Sequence, residues 1–122
     1  LLFTPMIDES LQKIREYANG LRSALLENEI KDANLRLKDI REELELLFMA
    51  FTVEFSALHP NARATVAIFD AIKDLDATNI SEKQLLILEC CLHALENPLE
   101  ESDLMNILKD LNRAGFNSIV SI

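Results

Sequence analysis

No proline stands between Pro5 and Pro60, and the only glycine in that stretch is Gly20. A β-sandwich or barrel needs a turn every ~10 residues, built largely from glycine, proline and asparagine. The whole chain has two glycines and three prolines over 122 residues, which all but rules out that class. Gly20 and Gly115 stand alone, so the clustered glycines of a dinucleotide or phosphate-binding loop are missing too. With 49% apolar residues the chain can fill one core, and the remaining way to do so is with helices.

The apolar spacing agrees. Thr4-Pro5 reads as an N-cap followed by proline at the first helical position. Leu11, Ile14, Ala18, Leu21 and Leu25 then recur at steps of three and four, the mark of one helix face. The phase breaks near Glu27-Asn28-Glu29 and resumes through Ile30, Ala33, Leu37, Ile40, Leu44, Leu47, Phe51 and Leu58. This predicts a turn between two long helices, with Asn28 or Asp32 capping the second and Pro60 ending it. The second helix starts amphipathic and becomes apolar nearly all round over LLFMAFTV at 46–53, so there it enters a core or a partner surface. Eight such residues are too few to span a bilayer.

Three shorter helices are expected after Pro60. One covers 61–76 through Val66, Phe69, Ile72 and Leu75. The next opens at Ser81 with Gln84 three positions on, a capping-box pattern. The last starts at Pro98 or Ser102-Asp103 and stops at Gly115. The expected fold is all-α: a single helical domain, a long antiparallel helical hairpin at 5–59 followed by a small helical subdomain at 61–122, all in one bundle.

Twelve Lys and Arg face twenty-one Asp and Glu, a net charge of −9 divided almost evenly between the two halves. Such a field repels phosphate backbones, so no nucleic acid is expected as a partner. It suits solubility, and it also attracts a basic partner. Cys90 and Cys91 are neighbours and make no disulfide framework. With no basic-then-apolar leader pattern at the start, they point to a reducing, cytoplasmic setting.

Few residues carry a pattern that chemistry requires, and no cofactor motif is present. Cys90, His93 and Glu89 cluster on one helix, but zinc wants ligands from more than one segment. A nucleophilic cysteine needs an activating base, which the local sequence does not supply. Glu54 interrupts an apolar face and is the one carboxylate placed like a general acid; a position at the core edge or beside a basic residue suits it better. The stripe Leu47, Phe48, Phe51, Phe55 and Leu58 is the candidate partner-binding surface, with the core beneath the shorter helices as the competing destination.

Residues 65–122 also carry a spacing that resembles a pair of EF-hands. Ile68, Phe69 and Ile72 precede a twelve-residue frame starting at Lys73; Leu104, Ile107, Leu108 and Leu111 precede one starting at Asn112. Ile80 and Ile119 fall at the eighth position, where paired hands place an aliphatic residue. The ligand positions depart from the pattern. The first frame offers Lys73, Leu75, Ala77, Ser81 and Gln84, and the second Asn112, Ala114, Phe116 and Val120. The resemblance therefore implies a degenerate pair that binds no calcium and retains a peptide-binding habit.

The function expected from these residues is a non-catalytic interaction or scaffold module, acting through helix faces on a protein partner or by self-association. The alternative is a ligand-binding or enzymatic domain using Glu54 or the Cys90–His93 cluster.

Overall fold

The computed structural model describes residues 3–116. Five helices follow in order: α1 (Pro5–Leu26), α2 (Ile30–Glu54), α3 (Pro60–Ile72), α4 (Glu82–Ala94) and α5 (Glu101–Arg113). No strand occurs among the described residues. Thr4 caps α1 by accepting from the Ile7 amide at 3.3 Å, with Pro5 in the first turn.

The α1–α2 turn is built differently from the sequence expectation. Asn28 does not cap α2; it takes φ +57° and closes α1. Its amide donates to Leu25 O at 3.2 Å, and the Glu29 amide donates to Ala24 O at 2.8 Å, the two bonds of a Schellman motif. Glu29, not Asp32, stands at the N-cap of α2 and makes no side-chain cap bond. Asparagine tolerates the left-handed region better than most residues, which is why it serves here. Gly115 does the same for α5 at φ +84°, with Gly115 N bonded to Asn112 O and Phe116 N to Leu111 O.

α2 stops at Glu54, short of the expected end at Pro60. Phe55 leaves the helix at φ −119°, ψ −88° and stacks on His59, ring centroids 4.4 Å apart. Proline disfavours helical backbone in the residue before it, and His59 is accordingly extended. Its Nδ1 then accepts from the Asn61 amide at 3.1 Å and caps α3. α3 ends at Ile72, not 76, because the Asp76 carboxylate takes the Thr78 amide and hydroxyl and folds the chain into a turn. Those two bonds hold the Asp76 pKa below its ordinary value. Ser81 and Gln84 form the expected capping box of α4. α5 begins at Glu101, with Glu100 as N-cap and Asp103 reaching back to its amide at 2.8 Å.

α1 and α2 lie alongside each other, Phe3 against Phe51 at one end and Ser10 against Glu43 further along. One contiguous core draws on every helix: Ile7 and Leu21 from α1, Leu37, Leu44, Leu47 and Phe51 from α2, Ile68 and Ile72 from α3, Leu88 from α4, Leu104 and Leu111 from α5. Asn61 ties the later helices together. Its side chain donates to Leu95 O (3.4 Å) and Asn97 O (3.0 Å) and accepts from the Leu99 amide (2.8 Å) while fully buried. Ion pairs add a polar seam. Arg22 of α1 grips Glu89 of α4 through two bonds of 2.7 and 2.8 Å and also reaches Glu82, contacts that raise its pKa. Arg15 pairs with Glu96, and Arg63 with Glu101.

Candidate functional site

The second half of α2 has apolar side chains on opposite sides. Leu44, Leu47 and Phe51 are completely buried. Leu46, Met49 and Val53, at steps of three and four along the other side, are 55%, 59% and 86% exposed. Met6 of α1 joins them at 70%. Between these helices lies an open groove of about 560 Å³. Met6, Leu46, Met49, Ala50 and Val53 give it apolar walls, and Glu9, Ser10, Lys13, Glu43 and Glu54 add polar groups. On the far side of Met49 a smaller groove of about 220 Å³ runs between α2 and α3, lined by Phe48, Val66 and Phe69 among others.

The five residues that the sequence nominated do not share one surface. Leu47 and Phe51 are core, and as folded neither can touch a partner. Phe48 is half-buried in the smaller groove. Phe55 is 39% exposed against His59, and Leu58 is exposed in the loop beyond α2. Their separation has a simple cause. The stripe continues the spacing of Leu37, Ile40 and Leu44, which is the inward phase of α2, and the helix ends before Phe55 and Leu58 can extend it. The exposed residues that sequence reasoning missed are Leu46, Met49 and Val53. Their only signal was membership of the same apolar run.

Inside the large groove Glu43 is nearly buried, 8% exposed. Its Oε2 accepts from the Ser10 hydroxyl at 2.7 Å. Among the described residues no cation lies within ion-pair distance of it; Lys13, the one base lining the groove, pairs with Glu9 at 3.7 Å. Glu54 sits exposed at the groove's end rather than in an enclosed apolar pocket.

The cysteines part company on α4. Cys90 is exposed and Cys91 buried. Burial, and then the charges of Asp110 and Cys90, push the Cys91 thiol up to about 12. A thiol held protonated is a poor nucleophile. His93 is turned to solvent and its Nδ1 faces Glu96 at 3.3 Å. Among the described residues no group of three or more His, Cys, Asp or Glu is placed to hold a metal ion. No described helix is long and apolar enough to cross a membrane. The first EF-hand-like frame forms the α3–α4 connection, where Asp76 is already engaged by Thr78. The second runs beyond Phe116, so Ile119 and Val120 lie outside the described residues. Compared with protein-family models, curated proteins and solved structures, the chain matches none.

Proposed function

We propose that this protein is a non-catalytic interaction module that seats an amphipathic helix of a partner protein in the groove between α1 and α2. We read its fold as a helical hairpin, α1 and α2, braced by the three-helix subdomain behind it, so that one side of the hairpin is left open. The observation that carries the proposal is the exposed stripe of Leu46, Met49 and Val53 facing Met6 across an apolar groove. From Met6 to Lys13 the groove follows about 10 Å of α1, close to two helical turns. That length accepts anchors at i, i+3 or i+4, and i+7 of a docked helix. Two of the exposed groove residues are methionines, whose unbranched side chains adapt to different partner shapes.

Charge complementarity favours a basic partner over a second copy of the chain. The groove presents three carboxylates, Glu9, Glu43 and Glu54, against one lysine, within a molecule of net charge −9. A two-fold pairing of grooves would double that surplus, whereas lysines or arginines flanking an apolar stripe would neutralise it. Of the residues on which the enzymatic alternative rests, Glu54 and Cys90 are exposed and the His93 ring faces Glu96. In this reading the EF-hand-like spacing carries no calcium, and the two free thiols fit a reducing compartment.

The three methionines supply the test. Met6 and Met49 line the groove, and Met105 lies on α5 away from it. With ¹³C-labelled methionine methyls, a model helical peptide of leucines on one face and lysines on its flanks should shift the Met6 and Met49 signals and leave Met105 in place. Equal movement of all three, or of none, sinks the proposal. Shifts of Met6 and Met49 on simple concentration of the protein would replace the partner helix with a second copy.

A further inference from the structure

Glu43 is costly where it stands. A carboxylate withdrawn from water loses hydration that only charge or multiple hydrogen bonds replace. An ionised carboxylate has about four lone-pair sites. Here one neutral hydroxyl, from Ser10, is the single described donor, and no base among the described residues comes within ion-pair reach. The cations of α1 are held elsewhere: Lys13 by Glu9, Arg15 by Glu96, Arg22 by Glu89 and Glu82. Yet Glu43 lines the groove itself, flanked by Leu46 one turn on, and opens towards the same space as the exposed apolar stripe. An isosteric glutamine would keep the Ser10 bond and avoid the buried charge. The carboxylate therefore has a use that the folded chain alone does not supply.

Resting on the docking proposal above, we infer that Glu43 is the receptor for a lysine or arginine of the docked helix, and so sets the specificity of the groove. The incoming cation completes the hydrogen bonding of a carboxylate already held by Ser10, in a groove it shares with Met6, Leu46 and Met49. Desolvation strengthens such a pair relative to one on the rim. Anchors in the apolar walls hold any amphipathic helix of the right shape; Glu43 selects the one with a base beside its stripe.

Two model peptides of about four turns separate the roles, read by fluorescence anisotropy: one with lysines flanking a leucine stripe, the other with glutamine in place of each lysine. Glu43→Gln should weaken the lysine peptide about ten-fold and leave the glutamine peptide unchanged. Asp74→Asn, which removes the same charge from the exposed turn after α3, away from the groove, should change either peptide less than about two-fold. Equal losses from the two variants would overturn the inference, because the preference would then come from net charge. Met49→Asp should abolish binding of both peptides. If it does while Glu43→Gln changes nothing, docking stands and the receptor role falls. If Met49→Asp binds like the parent, or the parent binds neither peptide, the docking reading itself falls. Should Glu43→Gln unfold, Glu43→Asp keeps the charge but withdraws it by one methylene, and an unaltered preference for lysine in that variant together with an unaltered affinity would overturn the inference equally.

Discussion

The two sides of α2 beyond Glu43 are almost the same in composition and opposite in fate. Leu44, Leu47 and Phe51 are sealed beneath α1 and α3. Leu46, Met49 and Val53, displaced by part of a turn, face outward and are more than half exposed. The first set does what apolar residues do in any core: each removes its side chain from water for about 2 kcal/mol. The second set gains nothing of the kind from the fold. A contiguous exposed apolar stripe marks interaction more often than chance, and here it borders a groove with a buried, half-satisfied carboxylate.

The comparison breaks most decisively through substitution on each side. Phe51→Ala should cost about 3–5 kcal/mol, since Phe51 is fully buried and contacts the rings of Phe3 and Phe55. Met49→Ser and Val53→Ser should each stay within about 0.5 kcal/mol of the parent. Urea denaturation measures all three. A loss at Met49 as large as that at Phe51 would mean that the outer stripe is covered, and the groove would lose its standing as a docking surface.

This division also shows how far the sequence could be read. Turn scarcity, the Thr4-Pro5 start, the Ser81–Gln84 box and the Gly115 stop are local signals, and local physics places them correctly. The all-helical class follows from them. The docking face does not: the spacing of Leu37, Ile40 and Leu44 carries the inward phase on to Leu47 and Phe51, but 46–53 is apolar nearly all round, so nothing marks Leu46, Met49 and Val53 as the exposed members. The inward direction is decided by α1 and α3, through contacts between residues far apart in the chain. The ends of α2 and α3 were missed for a related reason: Phe55 stacking on His59, and Asp76 bonding Thr78, outcompete the next helical turn. Glu43 was unremarkable among the acidic residues of α2 until folding set it opposite Ser10.

Buried polar groups extend the same contrast. Asn61 satisfies both ends of its amide with Leu95, Asn97 and Leu99, and so belongs with the inner face of α2 as a structural element. Asn61→Ala should cost about 2–3 kcal/mol, because the Leu99 amide and two carbonyls lose a buried partner. An effect below about 1 kcal/mol would show that the α4–α5 connection closes without it.

The adjacent cysteines repeat the inside–outside division on α4, and pH reads it. The Cys91 pKa is raised on folding from about 9 to about 12, chiefly by burial. A raised value favours the protonated thiol in the native state. Its contribution to stability is therefore complete below pH 9 and lost as pH climbs towards 12. Between pH 9 and pH 11 the parent should lose about 2 kcal/mol more than Cys91→Ala does. Identical slopes for the two would place Cys91 in contact with water.

The smallest expected change tests the purpose of Glu43. If its charge serves the fold, Glu43→Gln must destabilise the free protein, as loss of a buried ion pair does. Among the described residues Glu43 has no such pair, only the Ser10 hydroxyl, and glutamine's amide oxygen can accept that bond equally well. The free protein should therefore hold its stability within about 0.5 kcal/mol, or gain slightly as the desolvated charge is removed. A loss of about 2 kcal/mol or more would assign Glu43 to the inner, structural side of the comparison. A neutral result, joined to a weakened lysine peptide, leaves a carboxylate whose energetic role appears only when the groove is filled.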